Sequence, residues 1–215
     1  VMKKNIYQSL MEVGDQAQDS LSKKQAAREV ALPLSRKIIQ SSANSIRYSH
    51  RGEFKEARRL VNEANKMLQE IYKQLDSHKE IFFAGFLQDA QKEYVEATVF
   101  LAFAEGNKLP QPNDLGVDLP PYLNGLGESV GELRRYILDA LRRDDLSRCE
   151  ELLGIMDEVY SLLVTIDYPD ALTRGLRRTT DMVRGILERT RGDLTMSLRQ
   201  RELESKLTAL EKQTK

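Results

Sequence analysis

The chain has 215 residues, 40% of them hydrophobic, with 33 Lys and Arg against 33 Asp and Glu and a single cysteine, Cys149. A net charge of zero excludes a global attraction for nucleic acid, so any such binding has to come from local segregation of Arg and Lys. One cysteine excludes an intrachain disulfide framework. No stretch approaches the 18 apolar residues of a membrane-spanning helix, and the start of the chain has no apolar leader core. These features together predict a soluble cytoplasmic protein with no membrane partner.

Taken in order, residues 3–30 are polar with sparse apolar positions (Ile6, Leu10, Val13, Leu21), which predicts one or two exposed helices and makes residues 1–25 peripheral. From Ala26 to His50 the spacing of Val30, Leu34, Ile38, Ile39, Ser42 and Ile46 is helical, and Pro33 predicts a helix start or kink. Arg51-Gly52 reads as a stop. Residues 53–77 carry Leu60, Val61, Ala64, Met67, Leu68, Ile71 and Leu75 on one helical face. A further helix covers about 80–105 and ends at Gly106, followed by a breaker-rich loop at 107–121. Helical periodicity resumes over 122–143 and 146–165. Asp170 is a plausible N-cap after the Asp167-Tyr-Pro turn. Two last helices, 171–190 and 193–212, are divided at Gly192. No stretch alternates as a strand does. The fold class is all-α: a single domain over 1–215, built as a bundle of about seven helices.

Two segments place carboxylates where a helix does not ordinarily want them. At 100° per residue, Phe83, Leu87, Ala90, Tyr94, Ala97 and Leu101 share an apolar face. Glu93 falls inside its edge, with Asp89 and Glu96 on its shoulder. Three such acids repel one another unless a cation lies between them. The plain alternative is a salt bridge, for example to Lys92. On the 122–143 helix, Glu128 and Glu132 are four apart and point the same way. There the core face is Leu123, Leu126, Val130, Leu133, Ile137 and Leu141, nearly opposite the two acids, so geometry alone makes them a solvated polar face. Gly127 and Gly131 bracket Glu128 and argue instead for a close approach.

Several segments together resemble one family. Glu93-Tyr-Val-Glu96-Ala is similar to a motif of translin-associated factor X. Tyr122-Leu-Asn-Gly-Leu-Gly-Glu-Ser-Val-Gly-Glu-Leu-Arg-Arg135 is similar to the segment that completes its acidic set. Leu34-Ser-Arg-Lys-Ile38 with Ser42, Ile46 and His50-Arg51, then Asp167-Tyr-Pro and Leu176-Arg-Arg-x-x-Asp181, follow in the same order. On these residues the chain resembles the translin / translin-associated factor X family, as a factor-X-like subunit of archaeal type. The resemblance implies a seven-helix subunit in a closed homo-oligomer, usually an octamer, that encloses RNA. It also implies a magnesium-dependent endoribonuclease in which Glu93, Glu96 and Glu128 are the catalytic, metal-holding acids and Glu132 a fourth, supporting one. Position 128 departs from that pattern: Glu stands where the better-known relatives have Asp, one methylene shorter. Asp89 is not part of the set.

Hard, oxygen-rich sites of this kind suit Mg²⁺, with Mn²⁺ as the alternative. With only His50 and His78 in the chain, no cluster suggests zinc. The RNA, single-stranded or a short duplex, would be held by Arg36, Lys37, Arg47, Arg51, Lys55, Arg58 and Arg59, then by Arg134, Arg135, Arg177 and Arg178. An intrahelical ion pair is the ordinary alternative for each. His50 reads as structural or phosphate-contacting, the phenylalanines at 82–103 as core, and Cys149 as incidental. The rival readings are a non-catalytic translin-like protein binding single-stranded RNA or DNA, and a helical scaffold for protein partners.

Overall fold

The computed structural model describes residues 2–213, and the side chains of all of these except 2–4, 79 and 80. Val1 and residues 214–215, at the two ends of the expected domain, lie outside the described residues. The elements run α1 (Met2–His50), α2 (Phe54–Gln74), a 3₁₀ segment (Lys79–Phe83), α3 (Gly85–Glu105), α4 (Pro112–Leu115), α5 (Leu119–Arg142), α6 (Cys149–Val164), α7 (Asp170–Thr173) and α8 (Leu176–Gln213). No strand occurs among the described residues. Six helices are long, and α4 and α7 are single turns. The chain is an all-α bundle. None of its described helices is long and apolar enough to cross a membrane.

The ends of the helices follow from residues with special backbone freedom. α1 stops ahead of Gly52 and α3 is closed by Gly106, both left-handed at φ 75° and 73°, a conformation that only glycine adopts without strain. The 107–121 stretch is not a bare loop. Gln111 and Asp114 close a capping box on α4, and Pro120 and Pro121 sit in the first turn of α5, where their missing N–H costs nothing. The Tyr72 hydroxyl donates to Gly116 O and the Tyr122 hydroxyl to Pro110 O, both at 2.8 Å, which pins this connection to the bundle.

Four expectations are corrected. α1 is one helix of 49 residues that continues through Pro33, so no helix starts there. Proline removes one ladder hydrogen bond but does not end a helix whose following residues pack, and Ala31, Ser35, Ile38, Ser42 and Ser45 on either side are buried. α8 likewise continues past Gly192, since one helical glycine costs only about 1 kcal/mol relative to alanine. In the third case Pro169, not Asp170, occupies the N-cap position of α7. The expected helix over 80–105 also begins later, at Gly85. The extended backbone of Ala84 separates it from the 3₁₀ segment, and so Phe83 escapes the apolar face and is 62% exposed.

Small residues decide which helices touch. Ser45, Ser49 and Ala57 are buried between α1 and α2, with Ser45 Oγ donating to Ala57 O at 2.9 Å. α3 lies against α1, α2 and α5, while α5 packs also on α6 and α8. α3 is therefore central, which is why Tyr94, Phe100 and Leu87 on it are almost wholly buried. The first half of α1 and the last turns of α8 stand away from this core. Ile6, Leu10, Val13 and Leu21 on one, and Met196, Leu203, Leu207 and Leu210 on the other, are exposed.

Candidate metal centre

The site is built where α3 and α5 approach most closely, and a glycine sets that approach. A Cβ at Gly125 would stand 2.5 Å from Lys92 O and 2.9 Å from Val95 Cβ, so any larger residue would force the two helices apart. Gly127 does the same on the other flank of α5, where a Cβ would meet Thr179 Cγ2 of α8 at 2.4 Å. Gly131 has no such neighbour, its nearest atom being 3.8 Å away. Of the bracketing pair, only Gly127 marks a close contact. Gly125, which sequence reasoning passed over, is the residue that brings α5 onto α3. Buried Asn124 locks the arrangement: its amide donates to Pro120 O and Thr173 O at 2.9 Å, and its oxygen accepts from Thr179 at 2.6 Å.

One turn beyond Gly125, the Glu128 carboxylate meets the acids of α3. Oxygens of Glu93, Glu96 and Glu128 all lie within 4.8 Å of one another, and all three residues are half-buried. The polar face that the helical wheel suggested for Glu128 and Glu132 is therefore not open solvent. It faces α3 and α1. Glu132 stands outside the trio. Its Oε2 accepts from His50 Nε2 at 2.5 Å, and the His50 side chain, only 5% exposed, lies 4.7 Å from the Phe100 ring and 6.3 Å from that of Tyr136. His50 is thus a buried strut that fixes Glu132, with its Nδ1 enclosed and unpartnered among the described residues.

One cation already serves these acids. Lys92 Nζ donates to Glu128 Oε1 at 2.8 Å and lies 3.8 Å from Glu93 Oε1. A single ammonium does not offset three carboxylates. Burial, then Glu93, Glu128 and Glu132, push the Glu96 carboxyl up to about 8 against the pull of Lys92. Burial likewise raises Glu93, with Glu128 and Asp89 adding to it. Burial alone would pull Lys92 down, but the hydrogen bond and charge of Glu128, with Glu93 and Glu96, raise it. The cluster is therefore short of positive charge, and oxygen is the donor it offers. A six-coordinate Mg²⁺ with bonds of about 2.1 Å spaces its ligand oxygens roughly 3.0–4.2 Å apart. Oxygens within 4.8 Å of one another suit such an ion, bound directly or through a bridging water.

Beside the cluster opens a groove of about 660 Å³ whose wall includes Asp89, Lys92, Asn124, Glu128, Arg174 and Arg178. Among the expected RNA-binding residues, Arg178 lies on this groove, and Arg135 Nη1 stands 4.0 Å from Glu132. Arg177, its neighbour in sequence, lines a separate groove with Tyr160 and Asp181. Arg58 is bonded to Glu105, and Arg59 to Glu56 and Glu63, while Arg134 is taken by Asp193 at 2.8 Å. Arg36, Lys37, Arg47, Arg51 and Lys55 are exposed on α1, α2 and the turn between them. Arg174 was missed. Its left-handed backbone at φ 52° and its bond to Phe83 O, 2.8 Å, are tertiary features with no local pattern.

A half-buried carboxylate trio at the edge of an Arg-bearing groove, in an all-helical bundle, defines a class of site before any relative is considered. No family model matches the sequence. The chain is 33% identical over 189 residues to an uncharacterized protein of Methanocaldococcus jannaschii, an alignment spanning 87% of this chain and 83% of that one. Among solved structures it is similar to AfC3PO, both alone (TM-score 0.81) and in a complex with duplex RNA (TM-score 0.82), at 34% identity over 87% of this chain and 97% of that one. It shares the fold of apo-NeC3PO at 20% identity, with a TM-score of 0.75 over 86% of this chain and 96% of that one. The chain belongs to the translin family of C3PO-like proteins.

Proposed function

We propose that the protein is a factor-X-like, metal-dependent endoribonuclease subunit that hydrolyses phosphodiester bonds in RNA, single-stranded or a short duplex. The observation that carries this reading is the convergence of Glu93, Glu96 and Glu128 from two helices to within 4.8 Å at the rim of a groove. These three would hold Mg²⁺, or Mn²⁺, and the bound ion would lower the pKa of a water and offset charge gathering on the scissile phosphate. Glu132, held by His50, would orient the set from behind as the fourth acid. Arg178 and Arg174 would take the flanking phosphates. The 34% identity to AfC3PO, which has been captured with duplex RNA, supports RNA as the substrate class.

Self-assembly is part of the proposal. The apolar residues exposed on α1 and α8 would be covered in a closed homo-oligomer, with an octamer favoured. A reducing cytoplasm would suit its one free thiol, Cys149. A second reading, non-catalytic binding of single-stranded RNA or DNA, draws on one observation: Lys92 already serves Glu128 and Glu93 from within the chain. Incubating end-labelled RNA with the protein separates the two. Internal cleavage with Mg²⁺ that EDTA abolishes is expected, and intact RNA retained by the protein under both conditions would overturn the nuclease.

A further inference from the structure

We propose that Lys92 is a built-in counter-cation, which guards the acidic trio against binding a metal prematurely and passes to the RNA phosphate when the metal arrives. The inference rests on the metal reading above and adds a residue to it. Lys92 directly precedes Glu93 on α3, yet its ammonium does not project into solvent. It crosses to α5, donates to Glu128 at 2.8 Å and stays within 3.8 Å of Glu93, so it touches two of the three acids. The same side chain forms part of the groove wall with Arg174 and Arg178. Lysine is a compact charge on a flexible four-carbon stem, so one rotation can carry it from the carboxylates to the groove.

A divalent ion and an ammonium cannot share these oxygens without strong repulsion, because their attraction to the acids does not remove their mutual field in a half-buried site. Metal entry and the Lys92–Glu128 bond therefore compete. Once released, the ammonium shares the groove wall with Arg174, Arg178 and the single carboxylate of Asp89, which leaves an excess of positive charge there until a phosphodiester enters. Substrate and metal then support each other's binding, since each takes the partner the other needs removed.

The test is calorimetric titration of the full-length protein with Mn²⁺ alone. K92M, which keeps the stem and removes the charge, should bind Mn²⁺ about tenfold more tightly than the natural protein. K92R, which keeps a cation, should stay near it. Mn²⁺ binding that is unchanged or weaker in a folded K92M, while the natural protein binds, overturns the counter-cation role. No Mn²⁺ binding by either the natural protein or a folded K92M overturns the metal reading and this inference with it. A second measurement asks where the charge goes. With Ca²⁺ in place of Mg²⁺ and the RNA checked for integrity, the slope of log affinity for single-stranded RNA against log salt should fall by about 0.7 in K92M, the loss of one phosphate contact. An unchanged slope would rule out the transfer to phosphate.

Discussion

Glutamates on the outer surface of this bundle and those between α3 and α5 share the same chemistry and end in opposite states. Glu202 on α8 receives Lys206 four residues on and Arg199 three before, and Glu151 on α6 receives Arg148; in each the neighbouring cation lowers the carboxyl's pKa. Glu93 and Glu96 are raised instead, because burial comes first and acids of both α3 and α5 crowd them against the single cation Lys92. A helix neutralises its own charges within one turn. What it cannot do is neutralise charges that tertiary packing brings together from elsewhere, and that shortfall of positive charge is what makes the α3–α5 contact a site rather than a surface.

The largest expected effect separates these two kinds of glutamate directly. Glu96→Gln should lower Mg²⁺-dependent RNA cleavage by about a hundredfold or more, since loss even of groups that merely support a metal ligand costs 10–100-fold. Glu202→Gln should leave the rate unchanged, and equal losses in the two would remove the distinction. Next comes the geometry that builds the cluster. Gly125→Ala puts a carbon 2.5 Å from Lys92 O, and it should destabilise the fold by about 1–3 kcal/mol in thermal or urea unfolding despite alanine's better helix propensity. A neutral or stabilising result would mean that the helices are free to part.

A smaller effect concerns pH. The folded-state pKa of Glu96 is raised to about 8, so in EDTA the folded protein holds this proton where the unfolded chain has lost it. The associated stability is fully present below the ordinary carboxylate range and drains away as pH rises through about 8. Melting curves in EDTA should therefore fall in midpoint between pH 6 and pH 9, and Glu96→Gln should flatten that decline while melting no lower than the natural protein. A mutant that keeps the full slope would assign it to another group. Least of all, Glu202→Gln should not measurably change the melting point, because an exposed pair of this kind contributes little to stability.

Much of the fold is written in local pattern. The apolar spacing of Leu60, Val61, Ala64, Leu68 and Ile71, or of Leu126, Val130, Leu133 and Ile137, predicts helices that the structure contains, and Gly52 and Gly106 mark ends that it has. Pro33 and Gly192 misled for a physical reason. Each weakens a helix locally, but packing of Ile38 and Ser42 on one side, and the long continuous run of α8 on the other, outweighs a local cost of this size. The acids of the site could be named from spacing and family resemblance. Their company could not: Lys92 in the gap, His50 behind Glu132 and Arg174 across the groove are met only in three dimensions.

The chain's own order of residues thus determined its class, the extent of most helices, that Glu93 and Glu96 border the apolar face of α3, and that Glu128 and Glu132 share one side of α5, because each of these depends on neighbours within about four positions. Only the folded bundle decided that the acids converge. Gly125 has to lie against Lys92 O, and Asn124 has to tie α5 to Thr173 and Thr179, before Glu128 reaches Glu93 and Glu96. Those contacts join residues about 30 to 55 positions apart, and no local periodicity encodes a distance between two helices.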